Sequence, residues 1–129
     1  MNIQGNRVVV EKSQKETFEF LTDLKNFEQL MPESIQKFEV DGDSFIFGLK
    51  GMPEIRLVLK ETTPHSNVTL GAASSKLDFE LVADITEIDE DSSEVQLEFN
   101  GKFNAMMAMM VKRPLSSFIE TLTDNLEEI

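Results

Sequence analysis

A regular alternation of apolar and polar residues runs through the middle of this 129-residue chain, from residue 35 to residue 103. Successive side chains of a β-strand point to opposite faces, so this period of two predicts strands with one buried face. Turn sequences such as Asp41-Gly42-Asp43 separate the alternating segments, which predicts six antiparallel strands in a meander. The predicted inward positions are all apolar: 45, 47, 49, 55, 57, 59, 68, 70, 72, 77, 79, 81, 83, 85, 95, 97, 99 and 103.

The segment before the sheet has the pattern of one strand and two short helices. Residues 3–12 contain three valines in a row, which is typical of a strand. Ser13 and Glu16 have the spacing of a capping box, which predicts a helix near residues 14–22. A second helix start follows directly, and Pro32 ends that helix because proline disfavours helical backbone in the residue before it.

A long helix is predicted to close the chain, with Asn104 as its N-cap. Pro114 lies inside it and predicts a kink near residues 110–114. The order β-α-α-β6-α is an α+β architecture in a single domain of residues 1–129, in which a curved seven-stranded antiparallel sheet wraps around the C-terminal helix. The helix offers the sheet a continuous apolar stripe: Val111, Leu115, Phe118, Leu122 and Leu126.

The charge and composition exclude several classes of function. The chain has 24 acidic and 12 basic residues, a net charge of -12, which disfavours nucleic-acid binding and docking on an anionic membrane leaflet. It has no cysteine and therefore no disulfide or thiolate metal site. Its start is polar, and its longest weakly polar run, residues 105–111, is too short to insert across a membrane. We therefore expect a cytoplasmic protein.

The element order and one local motif resemble a known superfamily. Residues 18–32 (FEFLTDLKNFEQLMP) place a Phe-x-x-Leu helix before an Asp, a Phe and a closing Pro. With the element order, this is similar to the helix-grip fold of the START-like or SRPBCC superfamily, and to its small bacterial members. That superfamily includes the major birch pollen allergen, lipid-transfer START domains and polyketide cyclases. The resemblance implies an internal cavity rather than one catalytic motif. The family's usual tryptophan is replaced by Phe27, and the chain has no tyrosine.

Catalytic and metal chemistry find little support in the sequence. The clear strands place no carboxylate, His, Lys or Tyr on the inward face. Glu61 is in phase with that face but ends a strand, so it is predicted to be a surface group. His65, the single histidine, is predicted to be an exposed turn residue. The acidic stretch 87–94 lacks the glycine and ligand spacing of a calcium loop and is predicted to be a solvated hairpin. No catalytic residue, metal or cofactor is predicted.

Methionines concentrate at the start of the last helix, at positions 106, 107, 109 and 110. In the family's connectivity, the same end holds Met31-Pro32, Gly51-Met52-Pro53 and Ser74-Ser75, and that end is the usual cavity mouth. Flexible thioether chains suit an adaptable lip for an apolar ligand. Two other interpretations stay open, namely core filler beneath a kinked helix and a self-association patch.

The leading hypothesis is the non-enzymatic binding or transport of a small hydrophobic ligand, lipid or polycyclic, in an apolar cavity. Asn104, Ser74 or Ser75 would be a weak polar anchor, while Lys112 and Arg113 at the rim are expected to be solvated. The alternatives are an enzyme of the polyketide cyclase or aromatase type, and an interaction module or homodimer with a filled core. The predicted cavity and mouth residues are Met31, Phe47, Met52, Leu57, Leu70, Phe79, Leu81, Phe99, Phe103, Asn104, Met107, Met110 and Val111.

Overall fold

The predicted order of elements is confirmed in the computed structural model, which describes residues 1–50, 54–73 and 78–129, with Asp78 described by its backbone alone. The elements are β1 (Asn2–Gln4), β2 (Val8–Val10), α1 (Gln14–Thr22), a 3₁₀ helix (Leu24–Leu30), β3 (Lys37–Asp41), β4 (Ser44–Gly48), β5 (Ile55–Thr63), β6 (Asn67–Ala72), β7 (Asp78–Asp89), β8 (Ser92–Lys102) and α2 (Ala105–Glu127).

The first predicted strand is divided into β1 and β2, which pair with different parts of β8. Residues 5–7 lie opposite only two residues of β8, so the chain bulges between the two short strands. The bulge is held because the Gly5 amide donates to the Leu97 carbonyl at 2.8 Å and the Gln96 side chain donates to the Gly5 carbonyl at 3.1 Å. The eight strands of the described residues therefore occupy seven positions, in the order β1/β2, β8, β7, β6, β5, β4, β3, and all neighbours are antiparallel.

The two short helices begin at side-chain caps. Ser13 and Glu16 form the predicted capping box, in which each side chain accepts a hydrogen bond from the other residue's amide. The second predicted helix is a 3₁₀ helix, whose cap Asp23 accepts from the Lys25 amide at 3.2 Å. Its buried side chains close one end of the core: Leu24, Phe27 and Leu30.

The long helix α2 begins at Asn104, whose side chain accepts from the Met107 amide at 2.8 Å. It continues past Pro114 as a single helix, and a kink at that position stays a prediction. Asn125, near its other end, donates to the Leu30 carbonyl at 2.8 Å and ties the helix to the 3₁₀ helix. Every residue of the predicted stripe is buried, together with Ile119.

The predicted faces of the sheet agree with the burial of the described residues. Each predicted inward position that is described is buried or half-buried, and position 77 lies outside the described residues. The acidic hairpin is tighter than predicted, because β7 extends to Asp89 and β8 begins at Ser92. Only Glu90 and Asp91 form the turn, since the acidic residues beside them point outward and leave the backbone free to pair.

Candidate functional site

Successive strands alternate in direction, so five strand termini lie at one end of the sheet: Gly48, Ile55, Ala72, Asp78 and Lys102. Helix α2 starts at this same end of the sheet. The predicted site residues Met52, Ser74 and Ser75 lie outside the described residues.

A groove of about 170 Å³ lies where the chain after the 3₁₀ helix and the end of β4 approach α2. We call it the Pro114 groove, and its lining includes Pro32, Ser34, Leu49, Lys50, Pro114, Ser117, Phe118 and Thr121. Phe118 is only 2 % exposed and stacks on Phe47, with ring centroids 4.6 Å apart. Phe118 is therefore the buried part of the groove lining, and the Phe47 ring is stacked on it.

Eight of the predicted cavity residues belong to the apolar core and are between 0 and 8 % exposed. A water molecule, whether outside the protein or in an internal void, can reach very little of their surface. These side chains therefore pack against one another. A ligand in this interior would have to displace them, and their role in lining a cavity stays a prediction. The eight residues are Met31, Phe47, Leu57, Leu70, Phe79, Leu81, Phe99 and Val111.

The remaining described mouth residues differ in exposure. Asn104 and Met110 are exposed, whereas Phe103 and Met107 are half-buried and pack against the core. Met31 is not next to the methionines of α2, because its neighbour Leu30 is bonded to Asn125. At 1.5 Å per residue, Asn125 lies about 30 Å along the helix from Asn104.

The methionines of the N-terminal part of α2 differ in exposure. Met106 and Met109 are 75 % and 82 % exposed, and Met110 is 54 % exposed. Met107, three residues before Met110, is half-buried and packs against the core. Three of these four side chains therefore face away from the core.

The buried polar side chains of the described residues are all hydroxyls, and none is ionisable. Glu61 is exposed, as predicted, just after a bulge at Leu59/Glu61 in the pairing of β5 with β6. His65 is also exposed, and its ring meets the Phe18 ring edge-on at 5.4 Å. Within the described ranges, no group of three or more His, Asp or Glu residues is placed to hold a metal ion.

Among the described residues, Thr123 carries the one buried side-chain polar atom without a hydrogen-bond partner. It lies at a second groove, of about 360 Å³, between the β1–β2 connection and α2. We call this the Thr123 groove, and Gly5, Glu120 and Asp124 also line it. Sequence reasoning missed it, because the only local signal was a glycine in the first predicted strand.

The shifted carboxyl groups lie on the outer surface of the sheet and not in either groove. A hydrogen bond from the Asn100 side chain lowers the pKa of Glu98, assisted by the side chains of Gln4 and Asn2 against a smaller opposing effect of burial. The backbone amide of Asp91 and the Ser92 hydroxyl lower the pKa of Asp89 at the hairpin. Both shifts stabilise the ionised form at a strand surface, so they mark structural rather than catalytic carboxylates.

A curved antiparallel sheet wrapped around a long C-terminal helix, with an apolar interior between them, defines a helix-grip fold. No family model matches the sequence, and no curated protein matches it significantly. No helix in the described part of the chain is long and apolar enough to cross a membrane.

This chain is similar in structure to several solved proteins. A conserved protein from Geobacillus kaustophilus is 13% identical with a TM-score of 0.69, over 99% of this chain and 93% of that chain. A START superfamily protein from Mycobacterium smegmatis is 12% identical with a TM-score of 0.65, over 98% and 97%. Norcoclaurine synthase from Thalictrum flavum, in complex with dopamine and hydroxybenzaldehyde, is 10% identical with a TM-score of 0.70, over 99% and 84%. These likenesses concern the fold.

Proposed function

We propose that this protein binds or carries a small hydrophobic ligand, lipid or polycyclic, between the sheet and α2 without transforming it. The observation that carries the proposal is the chemistry of the interior, where the described buried side chains are apolar or hydroxyl-bearing and none is ionisable. Burial of apolar ligand area in such a space is favourable by roughly 25 cal/mol per Å². The norcoclaurine synthase structure, which holds small aromatic molecules in the same fold, supports this use of the architecture.

The same observation favours a binding protein over a cyclase. A general acid or base must reach the reacting atoms, and the described interior offers only hydroxyls. Thr17 and Ser93 are bonded to each other at 2.8 Å, the hydroxyls of Ser44 and Thr69 have partners of their own, and Thr123 carries a neutral hydroxyl without a partner. The interior therefore supports retention of a ligand better than proton transfer to it.

We place the entrance at the Pro114 groove, with the Phe47–Phe118 pair as its movable floor. Separating such a ring pair costs about 0.5–1.5 kcal/mol beyond the area lost. A ligand that buries about 200 Å² of apolar surface would contribute about 5 kcal/mol. The displaced Phe118 ring would expose a similar apolar area in water, so binding is favourable where the ring stays packed against the ligand.

Native mass spectrometry of freshly purified protein tests the proposal without choosing a ligand. We expect a bound small molecule that is released on denaturation and is soluble in organic solvent. A titration of the stripped protein with the uncharged fluorophore N-phenyl-1-naphthylamine should give saturable binding. Absence of both a retained molecule and saturable binding would contradict the proposal.

The entrance is tested by matched substitutions at neighbouring serines of α2. Ser117 lines the Pro114 groove, whereas Ser116 lines the Thr123 groove. Ser117→Trp should slow the uptake of N-phenyl-1-naphthylamine severalfold, and Ser116→Trp should not. Equal uptake rates in the two variants would move the entrance elsewhere.

A second candidate function is an interaction module that works through its surface. The packed Phe47–Phe118 pair and the exposed Met106 and Met109 favour it. In that case the stripped protein would take up no fluorophore, and Met109→Glu would change its oligomeric state, measured by light scattering. A monomeric protein that retains a ligand would exclude this candidate.

A further inference from the structure

The N-terminal part of α2 presents an exposed apolar face with cations beside it. Met106, Met109 and Met110 are spaced by three and four residues, so they share one side of the helix. Arg113 continues that side, and Lys112 lies beside it, both exposed. We call these five residues the methionine tip.

The charges along α2 are placed against the preference of the helix dipole. Acidic residues are favoured near a helix N-terminus and basic residues near its C-terminus. Helix α2 has no acidic residue in its first turn and no basic residue in its last turn. Its two cations, Lys112 and Arg113, come before its acidic residues Glu120, Asp124 and Glu127. The side-chain charges and the helix dipole therefore make the same end of the helix positive.

The acidic groups farther along α2 and at the β7–β8 hairpin do not cancel this local field, because they are distant from the methionine tip. Glu120 is ten residues beyond Met110, about 15 Å along the helix. The hairpin at Glu90 and Asp91 is separated from α2 by the 11 residues of β8, about 36 Å of extended strand. Electrostatic interactions between exposed charges are largely screened beyond about 8–10 Å at physiological salt.

We propose that the methionine tip docks on an anionic lipid surface, with its thioether chains at the boundary between headgroups and acyl chains. Lys112 and Arg113 then contact the lipid phosphates. Flexible, unbranched side chains suit a fluid apolar boundary, and nearby cations add attraction to anionic lipids. The overall charge predicted the opposite, because a sum over the chain hides a polarised surface. This proposal goes beyond ligand binding, since docking needs no molecule in the interior.

Flotation with vesicles of phosphatidylcholine, alone or with phosphatidylglycerol, tests the proposal on the full chain. We expect binding to the mixed vesicles, little binding to pure phosphatidylcholine, and a decline with rising salt. Lys112→Gln/Arg113→Gln should weaken binding about twenty-fivefold, from about fivefold for each cation. The matched control is Lys15→Gln/Lys25→Gln, at exposed positions on α1 and the 3₁₀ helix, which brings the net charge from -12 to the same -14.

The apolar contribution is tested with Met106→Ser/Met109→Ser, which should weaken binding about tenfold or more. The control is Val9→Ser/Ile88→Ser, at residues that are each 49 % exposed and lie elsewhere on the sheet. Circular dichroism shows whether each variant is folded. Equal losses in test and control variants, or no binding of the folded wild type to mixed vesicles, would overturn the proposal.

Two further outcomes distinguish lipid docking from self-association and from the proposed ligand binding. A wild-type dimer that dissociates in Met106→Ser/Met109→Ser, with no vesicle binding, assigns the methionine tip to a second copy and overturns lipid docking. N-phenyl-1-naphthylamine binding is measured on the same variants and is expected to be unchanged. Loss of vesicle binding with intact fluorophore binding supports the docking surface, whereas intact vesicle binding without any ligand binding refutes the proposed function alone.

Discussion

Phe118 of α2 lies parallel to Phe47 of β4, with ring centroids 4.6 Å apart and ring planes 6° from parallel. The helix otherwise packs mainly on β1, β2, β8 and the 3₁₀ helix. The ring pair thus connects α2 to the other half of the sheet, beneath the Pro114 groove. The contact between these two rings therefore contributes to the stability of the core and also lies on the proposed path to the interior.

Truncation of Phe118 should separate those two roles. Phe118→Ala is expected to lower the free energy of unfolding by about 3–5 kcal/mol, because it removes a buried ring and leaves a cavity. Phe118→Leu should cost less and should increase the affinity for N-phenyl-1-naphthylamine by opening the floor. Urea unfolding and fluorescence titration measure the two effects. Lower affinity in a folded Phe118→Leu would show that the ring is a ligand contact rather than a barrier.

Gly5 is expected to tolerate no side chain. A Cβ at this position would lie 2.7 Å from Thr123 Oγ1 and 3.1 Å from Ile119 Cγ2. Gly5→Ala should therefore destabilise the protein by about 1–3 kcal/mol through overpacking. Gly48→Ala is the control, because its Cβ would meet nothing closer than 3.5 Å. A double-mutant cycle with Thr123→Ala should recover part of the loss, and strict additivity would place the strain elsewhere.

Thr123→Val should stabilise the protein. The buried Thr123 hydroxyl has no partner, so a methyl group in its place removes a desolvation cost of about 1 kcal/mol or more. Thr17→Val provides the contrast, because the Thr17 hydroxyl is hydrogen-bonded to Ser93 and its loss should destabilise. Thermal unfolding of both variants measures the difference. A destabilised Thr123→Val would indicate that a bound water satisfies the hydroxyl.

Asn104 was predicted both as a helix cap and as a polar anchor for a ligand, and its observed hydrogen bond is that of a cap. Asn104→Ala should lower the free energy of unfolding by about 1 kcal/mol, whereas Asn104→Asp and Asn104→Ser should keep most of it. Ligand affinity, measured by fluorophore titration, should be the same in all three. A selective loss of affinity in a stable Asn104→Ser would restore the anchor role.

Glu98 should make stability depend on pH at the acidic end. The pKa of Glu98 in the folded protein is lowered from 4.5, with the Asn100 hydrogen bond as the largest cause. The ionised Glu98 therefore adds to the free energy of unfolding above about pH 4.5. The contribution is lost as pH falls through the folded pKa. The stability difference between wild type and Glu98→Gln should therefore be larger at neutral pH than in acid. Chemical denaturation at several pH values measures this difference, and Asn100→Ala is expected to show the same pH dependence as Glu98→Gln. A difference in the free energy of unfolding that does not change with pH would contradict the prediction.

Much of the fold follows from local patterns, because period-two and helical spacings assign faces within a single element. The stripe from Val111 to Leu126 and the cap at Asn104 were predictable in this way, and both are observed. The break between β1 and β2 was not predictable. It depends on hydrogen bonds between Gly5 and residues of β8, about 90 positions away in the chain.

The sequence by itself determined which residues face inward, and therefore that the described interior is apolar and free of ionisable groups. Only the tertiary structure decided that Phe118 stacks on Phe47, that Met31 lies toward the far end of α2, and that Gly5 covers the Thr123 hydroxyl. The physical reason is that periodicity reports the direction of a side chain relative to its own strand or helix. Which distant side chain it meets, and how much space is left between them, depends on how the elements pack together.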